Sequence, residues 1–141
     1  MQTQTHTQAE IEQRSDVELL VHTFYKKVRA DALLGPVFNS MIAEQQWPAH
    51  LAKLSDFWET NLFAVRRYKG SPMQAHQRVD AAHHYQLDQA HFGRWLHLWF
   101  TTIDALFSGP RAQRAKDSAR RMATGQYTAM WAARPGNQQQ H

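Results

Sequence analysis

The chain has 141 residues and a mass of 16.4 kDa, a size that fits a single domain. It contains no cysteine, which excludes disulfides, thiolate metal sites and cysteine nucleophiles. Its net charge of +4 raises the question of nucleic-acid binding, but the basic residues are scattered except between positions 111 and 121. This group falls on one face of a predicted helix, so we interpret it as a solvated surface and expect no nucleic-acid partner.

The sequence shows neither a targeting pattern nor a membrane-spanning pattern. No stretch is long and apolar enough to cross a bilayer, and the first 13 residues lack the basic and apolar regions of a signal peptide. We therefore expect a cytoplasmic protein with no membrane partner. The polar ends predict a flexible tail over residues 1–13, a helical domain over residues 14–133 and a second flexible tail over residues 134–141.

The first helix is predicted from a capping pattern and an apolar stripe. Ser15 followed by Glu18 is a capping-box pattern, so we expect the helix to begin there and to end near Ala30 or Asp31. Its apolar positions are spaced by three and four residues, as in a helix with one buried face. They are Val17, Leu20, Val21, Phe24 and Val28.

Proline and glycine divide the middle of the chain. Gly35-Pro36 predicts a tight, non-helical segment over residues 33–39, because proline disfavours helix in the residue before it. Pro48 suits the first turn of a second helix. Gly70-Ser71-Pro72 predicts a loop that leads into a short helix containing His76.

Two long helices are predicted in the last third of the chain. Asp88 can cap the first of them, and Ser108-Gly109-Pro110 ends it. The last helix is predicted from about Pro110 to Trp131. No segment shows the alternation of a strand, so the predicted fold class is all-α.

Two of the nine histidines are candidates for chemistry. His50 borders an aromatic, apolar stripe on the second helix, and His76 lies on the short helix. Each could be a partly buried histidine bonded to a carbonyl or a water, and the residues alone leave that alternative open. Haem would explain both placements, because a porphyrin needs an apolar cleft, one imidazole on its iron and a polar group opposite. No catalytic triad, HExxH motif, phosphate-binding glycine loop or repeated Glu-x-x-His pair is present.

Several groups of residues together resemble a bacterial truncated haemoglobin of the third group, over about residues 17–131. In chain order they are Phe24-Tyr25-Lys26-Lys27-Val28-Arg29-Ala30-Asp31, Leu34-Gly35-Pro36-Val37-Phe38, Trp47, His50, Lys53, Phe57-Trp58, Tyr68-x-Gly70-x-Pro72-x-x-x-His76 and His91-Phe92-x-x-Trp95-Leu96-x-Leu98. The resemblance implies a truncated globin fold, in which two crossed antiparallel helix pairs surround a haem. It also implies haem b (iron protoporphyrin IX) as the cofactor.

The resemblance also implies roles for individual residues. His76 matches the proximal histidine that bonds the iron, and is the expected metal ligand. On the distal side, Tyr25, His50 and Trp95 match residues that stabilise a bound diatomic ligand.

The resemblance and the charge pattern add further candidates for the haem pocket. Phe38 matches the phenylalanine that packs on the porphyrin, and we expect the second helix to line the cleft with Leu54, Phe57 and Trp58. Charge makes Arg66, Arg67 and Tyr68 candidates for the haem carboxylates, with a solvated loop as the alternative for the two arginines. No catalytic residue is predicted.

The function implied by this resemblance is the binding of dioxygen and other diatomic gases, such as nitric oxide and carbon monoxide. One alternative is a haem enzyme with nitric oxide dioxygenase or peroxidase-like activity. Because no flavin or nicotinamide domain is predicted, it would need a separate reductase. A minor alternative is a basic helical module that binds nucleic acid or protein. We expect a monomer or a weak dimer.

Overall fold

The structure is a computed structural model that describes residues 9–64 and 89–132, apart from the side chains of residue 126 and residues 129–132. These residues form five α-helices and one 3-10 turn, and the described part contains no strand, which confirms the predicted all-α class. No helix in these ranges is long and apolar enough to cross a membrane. The elements are α1 Arg14–Ala30, α2 Gly35–Met41, the 3-10 turn Glu44–Gln46, α3 Trp47–Phe63, α4 Gln89–Leu106 and α5 Pro110–Ala132.

Helix α1 begins one residue earlier than predicted and is capped differently. Gln13 is its N-cap, and its backbone N–H donates to the Asp16 carboxylate at 3.2 Å. The predicted capping box of Ser15 with Glu18 is therefore wrong, since Ser15 already lies inside the first turn. Glu18 instead accepts a hydrogen bond from Arg14 Nε at 3.0 Å. All five predicted apolar positions of this helix are fully buried.

Residues 35–41 form a helix, so the prediction of a non-helical segment was wrong. Pro36 lies in the first turn of α2, where its missing N–H has no intrahelical partner to lose. The Asp31 carboxylate accepts the backbone N–H groups of Leu33 and Leu34, both at 3.0 Å, and so fixes the turn before the helix. Gly35 packs against the end of α1, where a Cβ would come within 2.7 Å of the Arg29 carbonyl oxygen.

The predicted boundaries of the remaining described helices are close to those found. Pro48 lies in the first turn of α3, and Ala64, the C-cap residue that follows α3, adopts the left-handed conformation. The break between α4 and α5 falls at residues 107–109, as Ser108-Gly109-Pro110 predicts. Asp88 and the short helix predicted around His76 lie outside the described residues.

The core lies where α1 and α4 meet α3 and α5. Trp99 of α4 is fully buried, and its Nε1–H donates to the Ala115 carbonyl of α5 at 3.1 Å. Its ring stacks on Trp58 of α3 with centroids 4.6 Å apart. Because Ala112, Ala115 and Ala119 are small and buried, α5 can approach this stack closely.

Residues 9–11 contact the domain, although they lie in the predicted flexible tail. Ile11 is fully buried, and Ala9 forms an isolated bridge with Phe107. The Glu10 carboxylate accepts the backbone N–H groups of Arg111 at 2.9 Å and Ala112 at 3.2 Å. A carboxylate is favourable there because the first N–H groups of a helix have no intrahelical partners and the helix dipole is positive at that end.

We expect Glu10→Ala to lower the free energy of unfolding by about 1 kcal/mol, the usual cost of losing a helix cap. Urea denaturation followed by far-ultraviolet circular dichroism measures this change. Glu12→Ala, in the same segment but with an exposed side chain, is the matched control and should change stability little. Equal losses in the two variants would contradict the capping role of Glu10.

Candidate functional site

The phenol of Tyr25 lies in an aromatic cluster formed by three helices. Tyr25 is 6% exposed, and its ring centroid lies 5.9 Å from Phe38 of α2. On α3, the centroids of Trp47 and His50 lie 6.0 and 6.1 Å away. The structure therefore brings together three residues that the sequence assigns to the pocket, Tyr25, Phe38 and His50, and adds Trp47 to them.

Burial determines the protonation state of this phenol. Removal from water raises the pKa of Tyr25 to about 12, and a hydrogen-bonding interaction with the Trp95 side chain offsets part of the rise. Trp95 is held in place by stacking on Trp99, with centroids 6.1 Å apart and planes within 8°. Tyr25 is therefore neutral at physiological pH and keeps its O–H proton for donation.

His50 is half-buried at the edge of the same cluster. Burial, and next the positive charge of Lys53, lower the pKa of His50 below its ordinary value. The imidazole is therefore neutral near pH 7, with one nitrogen that donates and one that accepts. Its ring is perpendicular to that of Trp47, at a centroid distance of 5.3 Å.

Trp47 is a residue of this cluster that the sequence analysis did not assign to the site. It is 3% exposed, and its Nε1 is a buried polar atom without a hydrogen-bond partner. The guanidinium of Arg29 lies over its ring at 4.6 Å. The signal available in the sequence was its spacing, because a residue three positions before His50 shares a helix face with it. That spacing was missed because the helix was predicted to begin only at Pro48.

The other pocket candidates on α3 differ in burial and packing. Leu54 and Phe57 are half-buried beside the core. Trp58 is 3% exposed and stacks on Trp99, so it belongs to the core between α3 and α4. Arg66, Arg67, Tyr68 and His76 lie outside the described residues. Within residues 9–64 and 89–132, no three His, Asp or Glu side chains are grouped to hold a metal ion.

The chain is similar to truncated hemoglobins both in sequence and in fold. Over 97 residues the chain is 30% identical to a group 3 truncated hemoglobin of Campylobacter jejuni, covering 67% of this chain and 72% of the relative. The chain belongs to the group 3 truncated haemoglobin family. No protein-family model matches it. The crystal structure of the group III truncated hemoglobin from Campylobacter jejuni matches with a TM-score of 0.78 and 25% identity, over 88% of this chain and 95% of that one. The predicted truncated globin fold is thereby confirmed.

In this truncated haemoglobin, the basic residues between positions 111 and 121 make intramolecular contacts. Arg111 donates to the Ile11 carbonyl, and Arg114 donates to the Asn61 carbonyl. The remaining three pair with side chains of α4 or α5: Lys116 with Asp104, Arg120 with Asp117, and Arg121 with Ser118. These contacts favour a structural role for the basic face over nucleic-acid binding.

The raised pKa of Tyr25 predicts an alkaline loss of stability. The pKa of Tyr25 is about 12 in the folded state, against about 10 in the unfolded chain. The neutral buried phenol therefore stabilises the fold below pH 10, and this contribution to stability is lost as the pH rises from 10 to 12. Between pH 9 and 11, we expect wild type to lose about 1 kcal/mol more than Tyr25→Phe, which cannot titrate there. Urea denaturation at both pH values measures the difference. Equal losses in the two proteins would show that Tyr25 titrates normally.

Proposed function

We propose that this protein binds one haem b and uses it to bind dioxygen and other diatomic gases. Membership of the truncated haemoglobin family implies a haem cofactor. The observation on which the proposal depends is the buried, neutral Tyr25 beside His50 and Trp95. This arrangement offers hydrogen-bond donors to a small polar ligand inside an apolar surrounding.

The described residues around Tyr25 fit a porphyrin. Phe38, Leu54, Phe57 and Trp95 are apolar side chains that are only partly buried. Most cofactor sites combine such apolar side chains with a small number of polar groups. A flat apolar ring laid against them would cover hydrophobic surface that the described part of the chain leaves accessible to water.

His76 is our proposed iron ligand, and this assignment rests on the motif Tyr68-x-Gly70-x-Pro72-x-x-x-His76 alone. Its Nε2 would bond the iron, and its Nδ1–H would donate to a backbone carbonyl, which fixes the tautomer. We propose Arg66 and Arg67, through their charge, and Tyr68, through its hydroxyl donor, as partners of the haem carboxylates.

Tyr25, His50 and Trp95 have different hydrogen-bonding roles in the proposed distal site. The haem, when bound, supplies the iron at which a diatomic ligand binds. Donation from the Trp95 side chain to the Tyr25 oxygen, which lowers the pKa of the phenol, would leave the phenolic proton available to a ligand. A hydrogen bond to a negatively charged acceptor is worth about 1.5–3 kcal/mol, so Tyr25 should slow ligand release strongly. His50, being neutral, can add a second donor from one ring nitrogen.

Haem binding is the first test of this proposal. We expect the purified chain reconstituted with haem to show a Soret band, and His76→Gly to lose most haem retention. His97→Gly, which alters an exposed histidine of α4, is the control and should retain haem. A wild-type chain without a Soret band would refute the proposed function, and normal haem retention by His76→Gly would refute the assigned ligand.

Tyr25→Phe tests the distal role. We expect it to release dioxygen about ten to a hundred times faster, since one hydrogen bond to a charged acceptor is lost. Stopped-flow displacement of dioxygen by carbon monoxide measures the rate. Tyr127→Phe, at a ring that packs on Phe92, should release dioxygen at the wild-type rate. An unchanged rate in Tyr25→Phe would mean that the phenol does not contact the ligand.

A further inference from the structure

The indole N–H of Trp47 lacks the partner that a buried donor normally has. Its Nε1 is covered by protein and makes no hydrogen bond. An unsatisfied buried donor destabilises the fold, whereas a phenylalanine would fill similar space without this penalty. A buried tryptophan at this position is explained if a neighbouring side chain rotates and accepts a hydrogen bond from its N–H.

Three of the side chains around the Trp47 indole differ in what they can accept. Arg29, stacked on the indole ring, carries only donors. The oxygen of Tyr25 already interacts with the side chain of Trp95. The third is that of His50, one helical turn away, whose neutral imidazole has an acceptor nitrogen.

The geometry allows this contact after a small change. The Trp47 and His50 ring centroids are 5.3 Å apart, with planes at 89°. A ring nitrogen lies roughly 1–2 Å from its centroid, so this separation accommodates an N–H···N distance of about 3 Å. Rotation of the imidazole about its last torsion, which is broad for histidine, is sufficient to bring a nitrogen towards the indole.

We propose that Trp47 is a positioning residue of the distal site, whose indole N–H donates to one ring nitrogen of His50 and so fixes the His50 tautomer. The other ring nitrogen then carries the proton and is the donor available to a ligand in the cleft. This inference rests on the proposed function and deepens it, because it gives a reason why His50 donates to the ligand from one defined nitrogen.

Nitrogen-15 NMR of the histidine rings tests the proposal directly. In wild type, with haem and carbon monoxide bound, we expect His50 to show one tautomer, with one protonated and one unprotonated nitrogen clearly separated in shift. In Trp47→Phe the two shifts should move towards each other, because both tautomers become populated. Arg29→Met keeps the indole N–H while removing the stacked guanidinium, and should leave the tautomer unchanged. An unchanged tautomer in Trp47→Phe would overturn the proposal.

Dioxygen release gives a second readout. We expect Trp47→Phe to release dioxygen about threefold to tenfold faster in the wild-type background, an effect of roughly 1 kcal/mol. In a His50→Leu background the same substitution should have little further effect, because a positioning residue acts only through the residue it positions. An equal effect in both backgrounds would show that Trp47 acts by packing alone.

The outcomes separate this inference from the proposed function. A chain that shows no Soret band refutes haem binding, and the His50 tautomer can still be compared in the haem-free proteins. If Trp47→Phe does not fold, the wild type alone decides, through the scalar coupling across an N–H···N hydrogen bond between Trp47 and His50. Absence of that coupling, together with two populated His50 tautomers in wild type, would overturn the proposal.

Discussion

The burial of Trp99 is the constraint on which the rest of the structure depends. Its Nε1–H is satisfied by the Ala115 carbonyl, so its large ring can be buried without the cost of an unpaired donor. The same ring stacks on Trp58 at 4.6 Å and contacts Phe24 edge-on at 4.8 Å. One side chain of α4 thereby fixes the positions of α5, α3 and α1 relative to each other.

This packing extends directly to the candidate site. Trp95 lies one turn before Trp99 and stacks parallel to it, so its indole has little freedom. Phe24 contacts both tryptophans, which leaves Tyr25, the next residue of α1, directed at α2 and α3. The phenol is therefore positioned by the core itself. A donor held in this way does not need to be reorganised when a ligand arrives.

The spacing of apolar residues and the positions of proline and glycine predicted α1, α3, α4 and α5. The same sequence rules failed for α2, because tertiary contacts determine its conformation. Gly35-Pro36 fits both a loop and the first turn of a helix. A helix forms here because Asp31 caps the preceding turn and Gly35 packs closely against the Arg29 carbonyl. Neither contact is visible in a sequence window. Likewise, no sequence window shows that Trp58 stacks on Trp99.

The site residues were predicted from the family resemblance more than from residue spacing. The least predictable feature of the site is which of its hydrogen-bond donors has an acceptor. Two indoles flank the Tyr25–His50 pair: Trp95 interacts with the phenol, while the Trp47 N–H has no partner. The sequence analysis assigns Tyr25, His50 and Trp95 to the site but not Trp47, and it cannot show which donor is satisfied, because that depends on the relative rotation of side chains on three helices. The phenol thus already has its supporting contact, whereas the imidazole does not. The orientation of His50 is therefore the feature of this aromatic cluster that the described contacts do not fix.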